Sequence, residues 1–297
     1  MTDVRSYGSP AAFRRALTDR LKDLAAASRW TLPQLQRQMA YDRLLERLYL
    51  ADGGWIVKGA AALLARGIGV RATAAVDLYH EPAREVAEAV LRRAAAADIG
   101  DWFRLEIRPP RPLADTGGVR LPVTAFVGGT VWAAFHADLT AAGVRMTGEP
   151  EHVPSLAAVV MPDVEQHGYR AYPLVDHVAD KVCAMFERHG AAAAPSTRYK
   201  DLVDLVAIAL AGSVEAESQI AALRSEATRR GLRLPELLTV PDRALWEPGY
   251  AAEAGRSLLP TARTLDGALA TAGPFLDPLL DGTARGTWRP RDAGWTS

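Results

Sequence analysis

A lysine, a glycine and three alanines follow a short apolar run in Trp55-Ile56-Val57-Lys58-Gly59-Ala60-Ala61-Ala62-Leu63. The pattern reads as a strand, a small-residue turn and a helix. Such a junction turns backbone N–H groups and the positive end of a helix toward an anion, and Lys58 could offset phosphate charge there. Asp77 stands between Val76 and Leu78, so on a strand its side chain opposes theirs. A carboxylate at that place suits Mg2+. Asp138 falls near the end of a second run, Val131 to Leu139, in which His136 and Asp138 face one way and Phe135 and Ala137 the other. Asp138 suits either a second metal carboxylate or a base that accepts a hydroxyl proton. His136 reads as a packed or solvent-facing side chain, because no other histidine stands at ligand spacing. Further on, the runs His177 to Ala184 and Arg198 to Leu205 carry Asp180, Lys181, Asp201 and Asp204 among apolar positions. Asp201 and Asp204, three apart on a helix, share a face. A lysine and an aspartate from neighbouring helices can form a buried pair, or the aspartate can aim the lysine at a triphosphate. Taken singly, each signal also fits plain structure, since strand-glycine-helix turns and surface ion pairs are common.

The elements that must hold these residues follow from periodicity. Phe13, Leu17, Leu21 and Leu24, then Leu44, Leu45 and Leu48, recur at helical spacing, with Thr31 as an N-cap before Pro33. Two helices are therefore expected between residues 9 and 50. Strands are expected at Trp55 to Val57, Arg71 to Tyr79, Phe103 to Arg108, Arg120 to Val127 and Thr130 to Leu139. Helices are expected at Ala61 to Arg66, from His80 to near Asp98, at Leu174 to His189 and at Tyr199 to Leu210, with more helix to about Thr271. Ala142 to Pro162 reads as a connector, and the tail from Pro274 as irregular structure. The pattern predicts an α+β fold in three parts: N-terminal helices packed on the core at 1–50, a mixed core at 51–170, and a helical C-terminal lobe at 171–297.

Composition narrows the class. The chain has 297 residues, 49% of them hydrophobic, which is ample for packed cores. Its 35 basic and 35 acidic residues cancel, so bulk charge gives no sign of nucleic-acid binding, and any such surface must be local. The single cysteine, Cys183, excludes an internal disulfide and a cysteine metal cluster. No apolar signal core opens the chain and no stretch approaches the length of a membrane span. A soluble, cytoplasmic protein with no membrane partner is expected.

In order along the chain, Lys58-Gly59-x-x-x-Leu63, Arg71-x-Thr73-x-x-x-Asp77-Leu78, Asp138, Ala179-Asp180-Lys181-x-x-Ala184 and Arg198-Tyr199-Lys200-Asp201-Leu202-Val203-Asp204-Leu205 resemble the AbiEii/AbiGii nucleotidyltransferases. These are toxins of bacterial toxin–antitoxin and abortive-infection systems, within the DNA polymerase beta superfamily, and the mycobacterial MenT toxins are relatives. The resemblance runs over roughly residues 35 to 210 and includes the helix Asp42 to Leu48. It implies a polymerase-beta-like nucleotidyltransferase core with a helical C-terminal lobe. It also implies Mg2+, an NTP substrate, an RNA acceptor (the tRNA 3′ end) and a cognate antitoxin. By position, Asp77 and Asp138 match metal carboxylates, and Lys181 and Asp204 match the pair near the triphosphate. Lys58 and Gly59 match the opening of the phosphate turn, and Arg71 and Thr73 match the nucleotide-binding segment before Asp77. Thr73 in that loop would also be a place where an added phosphate repels an incoming triphosphate. Two departures stand out: Ala60 and Ala61 replace usual Gly/Ser/Thr positions, and Ala75 stands where the first aspartate of the Asp-x-Asp pair belongs. The sequence therefore supports two readings, a toxin that transfers nucleotides and a catalytically impaired member that binds a nucleotide or a protein partner.

Overall fold

The computed structural model describes residues 6–69, 71–113, 117–141, 143–190 and 192–296. The chain divides into two compact units. The first comprises Met1–Ala65, Thr73–Val144 and His152–Ala171, and the second Arg66–Ala72, Arg145–Glu151 and Tyr172–Ser297. The chain thus leaves the first unit at two short segments before its final departure at Tyr172.

The first unit opens with helices α1 (Pro10–Ala26) and α2 (Leu32–Ala51). Pro10 sits in the first turn of α1 behind the Ser9 cap, whose hydroxyl accepts from the Ala12 N–H at 3.2 Å. Thr31 and Gln34 close the start of α2, with the Gln34 side chain accepting from the Thr31 N–H at 2.8 Å. There follow β1 (Ile56–Lys58), α3 (Gly59–Ala65), β2 (Ala75–His80), α4 (Arg84–Ala95), β3 (Phe103–Ile107), β4 (Arg111–Pro112), β5 (Val119–Val127), β6 (Thr130–Ala141), β7 (Glu151–Val153) and β8 (Tyr169–Ala171). They form one mixed sheet in the order β3-β5-β6-β2-β1-β8-β7, with β4 paired to β5. β2 and β6 run parallel, as do β1 and β8, while β1–β2 and β5–β6 are antiparallel. The stretch read as a connector therefore contributes β7, and β8 adds the parallel neighbour of β1.

Strand alternation gives the sheet two different faces. On β5, Val119, Leu121, Val123, Ala125 and Val127 are buried, and Arg120, Pro122, Thr124 and Phe126 are half-exposed. On β6, Phe135, Ala137 and Leu139 are buried. These buried residues join Phe13, Leu17 and Leu21 of α1 and Met39, Leu44, Leu45 and Leu48 of α2 in one core. Each such side chain contributes about 1.5–3 kcal/mol on burial, so the face carrying the helices is fixed. The other face carries Asp77 and Asp138.

The second unit contains α5 (Leu174–Phe186), the short strands β9 (Arg188–His189) and β10 (Ala194–Pro195), α6 (Tyr199–Ala211), α7 (Ala216–Arg230), α8 (Arg243–Arg256), α9 (Leu265–Leu280) and the hairpin β11 (Thr287–Arg289) and β12 (Gly294–Thr296). Two sequence expectations need correction. Helix α9 does not stop near Thr271 but runs to Leu280 through Pro274 and Pro278. Each proline removes one helical hydrogen bond, but Phe275, Leu276 and Leu279 are buried, and their burial outweighs that loss. The tail is likewise ordered. Trp288 and Trp295 of the hairpin stand 5.1 and 5.8 Å from Phe275, and their indole N–H groups donate to the carbonyls of Ala209 and Phe275. No helix among the described residues is long and apolar enough to cross a membrane.

Candidate active site

The register of the sheet lines up charged residues across five strands. Lys58 on β1 lies opposite Asp77 on β2, Asp77 beside Asp138 on β6, Asp138 opposite Arg120 on β5, and Arg120 opposite Arg111 on β4. Directly paired residues point to the same face of a sheet, so this is one row on the face away from the helices. One of its pairings is a two-point ion pair. The Arg120 Nε and Nη2 groups donate to the two Asp138 oxygens at 2.8 and 2.6 Å, a fork-to-carboxylate geometry. Those bonds to Asp138, with the charges of Asp138 and Asp77, outweigh the cost of partial burial and hold the guanidinium further into its protonated form. Asp77 in turn lies over the β1–α3 turn. A Cβ at Gly59 would come within 1.9 Å of Asp77 Oδ2, and Gly59 has φ +60°. Glycine is thus required twice at that position, for the left-handed backbone and for the space that the carboxylate takes.

The loop before β2 is tied down by Tyr41, whose hydroxyl donates to the Thr73 carbonyl at 2.7 Å. Burial pushes this phenol up to about 12. The Thr73 hydroxyl donates to the Ala75 carbonyl at 2.9 Å and accepts from the Ala75 N–H at 3.2 Å, so it shapes the entry to β2. Ala75, two residues before Asp77, presents its methyl group on the same face and lies beside His136. For a metal, Asp77 and Asp138 supply hard oxygen ligands of the kind that bind one Mg2+ together with substrate phosphates. Among the described residues, no group of three or more His, Cys, Asp or Glu side chains is placed to hold a metal.

In the second unit, Lys181 of α5 donates to Asp201 of α6 at 3.0 Å and to Asp204 of the same helix. Asp204 also accepts from Arg71 Nε at 3.1 Å, and Asp201 from Arg198 Nε at 2.6 Å. Burial works against the charge on Lys181, and the two carboxylates overcome it, so its pKa is raised. Burial likewise works against the Asp201 carboxylate, which Lys181 and Arg198 still hold below its usual range. Asp180 meets Arg230 at 3.3 Å. The residues singled out by sequence thus gather into two sets. Lys58, Gly59, Asp77 and Asp138 are together in the first unit, with Thr73 at the entry to β2, and Arg71, Lys181 and Asp204 are together in the second.

Arg120 is the residue that sequence reasoning missed. A two-residue turn at Gly128-Gly129 does signal a β5–β6 hairpin, and it pairs Val127 with Thr130 as observed. Counting back from that turn places Arg120 opposite Ala137 and Asp138 opposite Val119. The register shifts by one between Ala125 and Phe126, so that Phe126 meets Val131 and Ala125 meets Ala133. This bulge leaves Trp132 extra on β6 and brings Arg120 to Asp138.

The fold and the site together agree with what comparison finds. MenT4, a nucleotidyltransferase toxin from Mycobacterium tuberculosis H37Rv, is similar in structure over 90% of this chain and 88% of its own, with a TM-score of 0.57 and 15% identity. The JHP933 protein from Helicobacter pylori is a looser match, at TM-score 0.48 and 16% identity, covering 83% of this chain and 93% of its own. No curated protein sequence matches the chain. At such identities the structural likeness speaks for the fold, and it agrees with the α+β class expected from the sequence. The profile of the nucleotidyl transferase AbiEii toxin family, type IV toxin–antitoxin system, matches residues 43–271. That span holds every residue of both charged sets and most of the chain, and the protein therefore belongs to the AbiEii nucleotidyltransferase toxin family.

Proposed function

We propose that this chain transfers a nucleoside monophosphate from an NTP to a hydroxyl of RNA, with the 3′ end of tRNA as the acceptor. The observation that carries the reading is the side-by-side pairing of Asp77 and Asp138 on parallel strands, over a glycine turn that makes room for Asp77. In the transfer, the acceptor oxygen bonds to the α-phosphorus, the bond to the bridging oxygen breaks, pyrophosphate leaves and the hydroxyl proton passes to water. Phosphoryl transfer depends chiefly on positioning and charge stabilisation, and the residues divide along those lines. Asp77 and Asp138 would hold a single Mg2+, which offsets charge on the phosphates when bound. Gly59 keeps the Asp77 carboxylate in place, Thr73 orders the approach to β2, and Lys58 adds positive charge beside Asp77. In the second unit we assign Lys181 and Arg71 to phosphate contact, with Asp204 orienting both. NTP and tRNA as substrates place the reaction in the cytoplasm, with a cognate antitoxin to restrain it.

The test is incubation with each α-labelled NTP in turn, Mg2+ and either total tRNA or RNA depleted of tRNA. Label is expected in tRNA from a subset of the four nucleotides. Label in no RNA from any of them would sink the reading. Ala75 favours a second reading, an impaired member that binds a nucleotide or a protein partner without turnover. Calorimetry separates the two: a chain inert toward RNA that still takes up Mg2+ and NTP fits the second reading, and one that takes up neither leaves only a protein partner.

A further inference from the structure

We infer that Arg120 is a fixed cation that replaces one metal ion at this site, so that the chain handles its nucleotide with a single divalent ion. The inference rests on the nucleotidyl-transfer reading of this sheet face and concerns a residue that no part of that reading requires.

Three observations converge on it. First, Arg120 grips both oxygens of Asp138 at 2.8 and 2.6 Å. A guanidinium fork holds a carboxylate in one plane and stays charged at every working pH. An ionised carboxylate has about four lone-pair sites, so Asp138 can accept Arg120 and still reach an ion. Second, the Arg120 side chain remains 41% exposed while that of Asp138 is 11% exposed. The guanidinium therefore anchors the carboxylate from the solvent side, where a phosphate can also meet it. Third, the two changes in charge offset each other. A two-ion centre works by setting divalent charge against a cluster of carboxylates. Three carboxylates with two divalent ions leave one net positive charge. One carboxylate fewer, as the resemblance implies for Ala75, together with one divalent ion exchanged for a guanidinium, leaves the same net charge. The fold builds an irregularity to achieve this. Were Trp132 paired in regular register rather than bulged, Arg120 would stand opposite Ala137 and Asp138 opposite the buried Val119.

The experiment is a Mn2+ titration followed by electron paramagnetic resonance, with and without an α,β-methylene NTP analogue. It is run on the intact chain and on Arg120→Ala, Arg120→Gln, Arg120→Lys and the double variant Asp77→Asn/Arg120→Ala. Circular dichroism melts show which variants fold, and Arg120→Gln serves as the neutral variant of similar shape should Arg120→Ala not fold. One Mn2+ per chain is expected with the analogue present. Without it, the neutral variants are expected to bind Mn2+ roughly tenfold or more tighter than the intact chain, because Asp138 is released. Arg120→Lys should stay near the intact chain, and Asp77→Asn should abolish the gain. Two Mn2+ per intact chain, or neutral variants with unchanged Mn2+ affinity, would overturn the inference. Failure of every variant to bind the analogue would instead remove the nucleotidyl-transfer reading, and the analogue-free titration would still decide what Arg120 does to Asp138.

Discussion

The ion cluster on α2 and the row on the open sheet face belong to the same unit and use the same residue types, arginine against aspartate. On α2, Arg43 and Asp42 are 0% exposed, Arg47 is 1% and Asp101 is 2%. Arg47 gives its N–H groups to Asp101 and to the carbonyls of Ala97, Arg43 and Phe103, and Arg43 reaches Asp42 and the Glu165 carbonyl. Asp42 also accepts from Ser155 and Tyr169. These charges are enclosed by protein donors and acceptors, and their role is to fasten α2 to the chain around residues 97–103 and 155–169. On the open face, Asp138 is held from one side by Arg120, whose own side chain is 41% exposed, and Asp77 lies half-exposed against a glycine. There the carboxylates are less completely enclosed than those of the α2 cluster. The contrast separates a structural ion network from a candidate reacting one on geometry alone, where residue types would not.

Substitutions can break this contrast from either side. The largest effect is expected from Asp77→Asn, which should reduce labelled nucleotide transfer by roughly a thousandfold or more, as loss of a group acting in a unit does. Its melting midpoint should move by less than about 3 °C, the shift that roughly 1 kcal/mol gives in a domain of this size. Arg47→Met should do the reverse. It leaves Asp101 buried without its main cation and should lower unfolding stability by about 3–5 kcal/mol, read by urea denaturation, while the folded fraction keeps its transfer rate. Gly59→Ala falls between the two. A left-handed backbone with a Cβ costs about 1–2 kcal/mol, and the displaced Asp77 carboxylate should lower the rate more than the melting midpoint. The smallest effect concerns His167, which is bonded to the buried Glu46 at the C-terminal side of the α2 cluster. The bond to Glu46 and its charge raise the imidazole pKa above the usual 6.5. That contribution is therefore fully present below about pH 6.5 and lost as pH rises through the raised value. With the ring 61% exposed, the fall should be slight. Melts between pH 6 and 9 should show it in the intact chain and not in His167→Gln.

Much of the first unit was legible because alternation and helical spacing record burial directly. Val76 and Leu78 against Asp77, and Phe135 and Ala137 against Asp138, fix which face each carboxylate takes. Lys181, Asp201 and Asp204 were legible as charges set among apolar helix positions, and the structure joins them. Arg120 was hidden because its partner depends on a one-residue bulge that no local pattern announces. The extension of α9 was hidden because Pro274 and Pro278 are stop signals by themselves and are overridden only by tertiary burial of Phe275, Leu276 and Leu279. β8 was missed because three residues carry too little alternation to register as a strand.

On the proposal above, two carboxylates and Arg120 make a working centre without an aspartate at position 75. The most direct test compares labelled nucleotide transfer to tRNA by the intact chain and by Ala75→Asp under the same conditions. The intact chain is expected to transfer label, and Ala75→Asp to change the rate by less than about tenfold, which is under roughly 1.4 kcal/mol of barrier. An inert intact chain that Ala75→Asp turns into an active enzyme would contradict it.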